Sequence, residues 1–226
     1  MPVFRLSEAP IFPPPDQADP TGLLAVGGDL SPGRLLQAYR RGIFPWYDEP
    51  GGPILWWSPD PRLILEPASL HISRRLARRL KARTFEVRLD TAFASVIHAC
   101  AVTPRADADG TWITPEMEEA YIRLHDLGFA HCAESWAGGE LVGGIYGIHL
   151  GGCFFGESMF STRSDASKVA LLGLVGTLVA RGVSMIDCQV TSEHMLSMGA
   201  REIPRAEFLR RLDEALTQPN SRGKWS

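Results

Sequence analysis

Glu157, Asp187 and Gln189 are the side chains whose setting in this sequence best suits chemistry on a polar substrate. Glu157 follows the apolar run Cys153-Phe154-Phe155 across Gly156, a residue that lets a ligand come close to the backbone. A carboxylate at such a strand end is costly unless paired, so it either serves a site or caps the following turn. In Ile186-Asp187-Cys188-Gln189-Val190, strand alternation places Asp187 and Gln189 on one face and their apolar neighbours on the other. One polar side chain on a buried strand is readily explained by a structural hydrogen bond. Two, aligned at i and i+2, look more like a site.

Three further groups could bind rather than react. Between Pro67 and Phe85 the chain has no acid, yet Arg74, Arg75, Arg78, Arg79, Lys81 and Arg83 supply six positive charges. The first four repeat at i, i+1, i+4 and i+5, on one side of a helix, with Leu70, Leu76 and Leu80 left for packing. Like charges so spaced repel. The helix is therefore either a solvated face or a seat for a polyanion whose phosphates relieve the repulsion. The stretch Gly42-Ile43-Phe44-Pro45-Trp46-Tyr47, followed by Trp56-Trp57-Ser58-Pro59, pins tryptophans with prolines. Such rigid aromatic planes either stack on unpaired bases or pack a small core. Leu171, Leu174 and Leu178 recur at i, i+3 and i+7, an apolar stripe that is core or a pocket wall.

The elements that must position these groups follow from turn and cap signals. Pro and Gly are dense from Pro10 to Pro61, which predicts a compact, turn-rich lobe with one helix over Ser31–Arg41, started by Ser31 and Pro32 and ended by Gly42. Beyond it, helices are expected over His71–Arg83, Thr91–Ala101, Pro115–Leu127, Ala166–Ala180 and Arg205–Leu216. Strands are expected over Phe85–Leu89 and Val183–Val190, and as a meander over Ala130–Trp136, Glu140–His149 and Cys153–Gly156, joined by Gly-Gly turns. This order predicts an α/β (α+β) protein: a small N-terminal domain at residues 1–65 and a larger one at 66–226 with a mixed, mainly antiparallel sheet.

The composition excludes several classes. The 226 residues are 45% hydrophobic and 22% charged, as in an ordinary soluble protein, and a net charge of −3 gives no global sign of a nucleic-acid partner. The four cysteines form no C-x-x-C pair, so buried free thiols are expected and a structural metal is not. The start, MPVFRLSEAP, lacks an export signal, and no apolar run approaches a membrane span of about 18 residues. A cytoplasmic location is expected. There is no G-x-x-x-x-G-K-[ST] loop and no H-E-x-x-H.

Six segments together resemble the leucyl/phenylalanyl-tRNA–protein transferase family: Gly22-Leu23-Leu24-Ala25-Val26-Gly27-Gly28-Asp29-Leu30, Gly42-Ile43-Phe44-Pro45-Trp46, Leu55-Trp56-Trp57-Ser58-Pro59-Asp60-Pro61-Arg62, Gly110-Thr111-Trp112-Ile113-Thr114, Phe155-Gly156-Glu157-Ser158-Met159-Phe160-Ser161 and Ile186-Asp187-Cys188-Gln189. The resemblance implies a larger domain like the acetyltransferase (GNAT) fold, although the Gln/Arg-x-x-Gly-x-Gly loop for coenzyme A is not found. It implies transfer of Leu or Phe, with Met as a further candidate, from aminoacyl-tRNA to the N-terminal Arg or Lys of acceptor proteins, marking them for N-end rule degradation. No cofactor is expected, and the chain is expected to act as a monomer. By the same resemblance, Trp46, Trp112, Tyr39 and Tyr121 hold the terminal adenosine, while Ile145, Phe154, Leu171, Leu174, Leu178 and Ile186 form the amino-acid pocket. Asp187 and Gln189 match the catalytic pair and Glu157 the acid beside it. Ile145 replaces a familiar methionine, and Leu174 and Leu178 familiar phenylalanines. The expected chemistry is aminolysis of an ester, with Asp187 orienting Gln189 and the Gln189 carbonyl accepting a hydrogen bond from the attacking amine. The basic helix is expected to grip the tRNA body.

Overall fold

A computed structural model describes residues 3–47, 50–104, 112–220 and 222–225. Two sheets organise the chain. The smaller holds β1 (Phe4–Leu6), β2 (Leu23–Gly27), β3 (Phe44–Pro45) and β4 (Leu55–Trp57) in the order β1-β2-β4-β3, with helix α1 (Pro32–Arg40) between β2 and β3. The larger holds β5 (Arg62–Leu65), β6 (Glu86–Leu89), β7 (Ala130–Ala137), β8 (Glu140–Leu150), β9 (Cys153–Ser161), β10 (Met185–Gln189) and β11 (Arg201–Ile203), in the order β11-β5-β10-β9-β8-β7-β6. Every pairing in it is antiparallel except β9 with β10. The mixed, mainly antiparallel sheet is thus the one expected.

The remaining helices are α2 (Arg74–Lys81), α3 (Phe93–Val102), α4 (Pro115–Asp126), α5 (Ala166–Ala180), α6 (Glu193–Ser197) and α7 (Arg205–Leu216). Strand alternation divides the larger sheet's side chains between two cores. Tyr146 and Phe155 join α3, α4, α7 and the small lobe, while their neighbours Ile145 and Phe154 join α2 and α5. Among the described residues no helix is long and apolar enough to cross a membrane.

Local signals place several elements well. The Ser31 hydroxyl accepts from the Arg34 amide and Pro32 occupies the first turn of α1, while α5 and α7 keep their expected bounds. Elsewhere the structure differs. Helix α2 begins at Arg74 rather than His71, because Ser73 caps it by accepting from the Leu76 amide. Strand β9 runs on to Ser161, past the expected end at Gly156, held by pairing with β8. The expected division between 1–65 and 66–226 assigns β5 to the small lobe, yet its hydrogen bonds to β10 and β11 place it in the larger sheet. Cys100, Cys132 and Cys153 are buried and Cys188 is half-buried, all as free thiols.

Candidate active site

The site lies where two neighbouring strands part. β9 and β10 pair only between Cys153–Phe155 and Met185–Asp187, after which β9 continues to Ser161 without β10 beside it. A cavity of about 850 Å³ opens there. Each strand carries a β-bulge at the splay. Tyr146 pairs with Ser158 and Gly147 with Gly156, so Glu157 is the extra residue on β9. Such bulges re-aim a side chain, and they gather at active sites. Gly147 allows the close approach this needs, since a Cβ there would lie 2.1 Å from the Phe155 carbonyl oxygen. On β10, Asp187 pairs with Ile64 and Gln189 with Leu63, leaving Cys188 extra and Gln189 in the left-handed region at φ 64°.

The β9 bulge turns Glu157 into the cavity wall, where it is 8% exposed. The Tyr121 hydroxyl donates to its Oε2 at 3.0 Å, and the Gln189 Nε2 donates to its Oε1 at 2.8 Å. The Tyr39 hydroxyl is hydrogen-bonded to that of Tyr121. A phenol has one proton, and Tyr121 spends its own on Glu157, so Tyr39 is the donor to Tyr121. Burial, then the Glu157 charge, holds both phenols well above their usual range, so they stay protonated donors. Burial pushes the Glu157 carboxyl up to about 7, against the opposing pull of the tyrosine hydroxyls and the Gln189 amide. A carboxyl poised near neutrality can take and return a proton at physiological pH.

Asp187 is built differently. It is fully buried, and Arg62 grips it with two parallel bonds, Nε to Oδ1 at 2.8 Å and Nη2 to Oδ2 at 2.7 Å. The Arg62 guanidinium lies over the rings of Phe44 and Phe208 at 4.8 and 4.5 Å. Asp187 does not line the cavity. Its Oδ1 accepts from the Gln189 backbone amide at 2.9 Å, so it orients Gln189 through the main chain. The expected common face for Asp187 and Gln189 is corrected accordingly: the bulge, not simple alternation, aims Gln189. With Nε2 committed to Glu157, the amide places its oxygen as the remaining acceptor.

The other expected residues divide. Trp46, 40% exposed, and half-buried Trp112 line the cavity, as do Ile145, Leu171 and Ile186. Tyr39 and Tyr121 are fully buried and offer no face for stacking; they support Glu157 instead. Phe154, Leu174 and Leu178 are core residues and do not reach the cavity. In the basic helix, Asp165 pairs with Arg75 at 3.1 Å and Arg79 at 3.4 Å, an acid some ninety residues away that local sequence does not disclose. Arg74, Arg78, Lys81 and Arg83 are exposed and make no ion pair among the described residues. Gly110 and Thr111 of the fourth matching segment lie outside the described residues.

Sequence reasoning missed Arg62, Ser167, Ser192 and His194. The signal for Arg62 was a single charge at the head of the apolar strand Leu63-Ile64-Leu65; the others carried none. Cys188 lines the cavity, but burial pushes its thiol up, so it is a poor nucleophile.

A near-neutral carboxyl beside an oriented amide in an apolar, aromatic-edged cavity is suited to acyl transfer. The leucyl/phenylalanyl-tRNA protein transferase family matches residues 64–213, and the N-terminal domain of that family matches residues 28–60. Leucyl/phenylalanyl-tRNA–protein transferases from Anaeromyxobacter dehalogenans, Nitratidesulfovibrio vulgaris and Aromatoleum aromaticum are 58%, 59% and 60% identical. They cover 100%, 96% and 98% of this chain and 96%, 93% and 93% of their own lengths. The chain therefore belongs to the leucyl/phenylalanyl-tRNA protein transferase family, whose members are aminoacyltransferases. Among solved structures, a GCN5-related N-acetyltransferase from Kribbella flavida matches at 10% identity and a TM-score of 0.38, over 77% of this chain and 61% of that one. The structure of L-PGS from Bacillus licheniformis matches at 10% identity and 0.41, over 75% and 54%. Likeness of this size carries no argument about chemistry.

Proposed function

We propose that this chain moves leucine or phenylalanine from aminoacyl-tRNA to the α-amine of an acceptor protein beginning with Arg or Lys, marking it for N-end rule degradation in the cytoplasm. One observation carries the reading: Glu157, with its carboxyl near neutrality, is hydrogen-bonded to Gln189 in a cavity edged by two tryptophans. The donor ester is already activated, so no ATP is needed. The acceptor α-amine has a pKa of about 7.7–8.0, so an appreciable neutral fraction exists at physiological pH and Glu157 is left free for the proton released on attack.

In this mechanism Trp46 and Trp112 hold the terminal adenosine, and Ile145, Leu171, Ile186 and Met159 receive the leucyl or phenylalanyl side chain. The Gln189 carbonyl accepts a hydrogen bond from the amine and aims its lone pair at the ester. Glu157 takes the proton released as the tetrahedral intermediate forms and returns it to the departing ribose oxygen. Asp187 and Arg62 act at one remove, by fixing the Gln189 backbone. All these residues come from one chain, which suits a monomer. The exposed arginines of α2 grip the tRNA backbone.

Labelled Leu-tRNA or Phe-tRNA incubated with an Arg-initiated peptide, without ATP, should yield labelled peptide. Gln189→Ala should lower kcat while tRNA affinity stays nearly intact. No transfer by the wild type, or a variant that loses tRNA binding in step with rate, overturns the reading.

A further inference from the structure

The α5–α6 side of the cavity is furnished for a charge opposite to the one the Glu157 side accepts. His194 lines the cavity, and its Nε2 is buried with no hydrogen-bond partner among the described residues. Lys168 follows the cavity-lining Ser167, near enough for its charge to act on that imidazole; it is half-buried and makes no ion pair among the described residues. Asp165, an acid at the start of the same helix, is taken up by Arg75 and Arg79. Ser167, the residue before Lys168, and Ser192, two before His194, line the cavity.

Each of these facts is unfavourable without a ligand. A buried nitrogen without a partner forfeits its hydration. A half-buried ammonium without a counter-charge is costly as well. Lys168 also stands in the first turn of the fifteen-residue α5, where the helix dipole disfavours a cation. All three penalties vanish if an anion sits between Lys168 and His194. Burial and the Lys168 charge hold the free imidazole below its usual value, and an anion would reverse the second of these.

The donor supplies such an anion, and the acceptor does not. An aminoacyl-tRNA ends in a single strand with one negative phosphodiester per nucleotide, whereas the acceptor brings an ammonium that suits Glu157. This side also faces the basic helix: α2 is tied to the head of α5 through Arg75, Arg79, Ser164 and Asp165, and Ser167, two residues on from Asp165, lines the cavity. We infer that Lys168 and His194 seat the phosphodiester joining the terminal adenosine to the nucleotide before it, guiding the 3′ strand from α2 into the cavity. This rests on the transfer reaction proposed above and adds the place where the strand is held.

Three donors of increasing length separate the possibilities: 3′-phenylalanyl-adenosine, which has no phosphodiester, phenylalanyl-cytidylyl-adenosine, which has one, and Phe-tRNA. Lys168→Met and His194→Ala should raise KM for the dinucleotide and for Phe-tRNA by roughly tenfold or more, with kcat little changed. KM for 3′-phenylalanyl-adenosine should stay at the wild-type value. Lys168→Arg, which keeps the charge and the fold, should retain most of the affinity. Equal losses on all three donors, no loss on any, or a rise confined to the acceptor peptide's KM overturns the phosphate seat while the transfer reaction stands. Failure of the wild type to use any donor overturns both.

Discussion

Asp187 on β10 and Glu157 on β9 are two buried carboxylates flanking one splay, and they have opposite surroundings. Asp187 meets a guanidinium in a two-pronged ion pair, and its other contact is a backbone amide. Among the described residues Glu157 meets neutral donors, the tyrosine hydroxyls and a carboxamide, and burial lifts its proton affinity to near neutrality. Two buried carboxylates thus become an ion-paired strut in one strand and a group poised near neutrality in the next. The partner decides which, and both partners arrive from distant elements: Arg62 from β5, Tyr121 from α4.

The sharpest way to break this contrast is to remove the strut. Asp187→Asn leaves Arg62 buried between Phe44 and Phe208 without a counter-charge, which should cost about 3–5 kcal/mol of stability. The denaturant midpoint reads it, and replacing Arg62 by Met in the same chain should recover part of the loss. Were Asp187→Asn as stable as the wild type, the ion pair would not be the strut described.

Glu157→Gln should do the reverse, cutting transfer by about 10²-fold or more while leaving stability at pH 8 equal or higher. The sign follows from the raised carboxyl. The folded protein holds the proton more tightly than an ordinary glutamate at 4.5, so stability falls as pH rises from about 4.5 to about 7. Transfer by the wild type should rise over the upper part of that window as the carboxylate forms. In Glu157→Gln this group's stability slope should vanish and the rate should keep only the slope of the acceptor amine; a wild-type rate profile no steeper than the variant's would refute the assignment.

Tyr121→Phe is the mildest test. It removes one donor to Glu157 and leaves the Tyr39 hydroxyl without its acceptor, for a cost of about 1–2 kcal/mol. The limb of the pH–rate profile should move upward by less than about one unit. A downward move would mean that the phenol does not favour the carboxylate.

Much of the scaffold was legible because its signals are local. Ser31, Pro32 and Gly42 delimit α1, and the Gly138-Gly139 and Gly151-Gly152 turns set the meander of β7, β8 and β9. The site was legible as a set of residues but not as a geometry. A bulge is a mismatch of register between strands, so nothing next to Glu157 or Gln189 announces it. Leu171 reaches the cavity while Leu174 and Leu178 do not, a distinction that helical periodicity cannot draw. The two-residue β3 and the short β1 and β4 were hidden by the prolines and glycines around them, since they depend on pairing rather than on propensity.

Tyr39 belongs to α1, in the small lobe, yet its proton ends the chain of donors that reaches Glu157 in the large sheet. Whether the lobe is docked and how readily the acid ionises are therefore one variable: undock α1 and the Tyr121 hydroxyl that serves the carboxylate loses the Tyr39 proton behind it. The small lobe works as a gauge on the reacting group, and a chain cut between Trp57 and Arg62 would lose the tuning of its acid even with every cavity-lining residue of the large sheet intact.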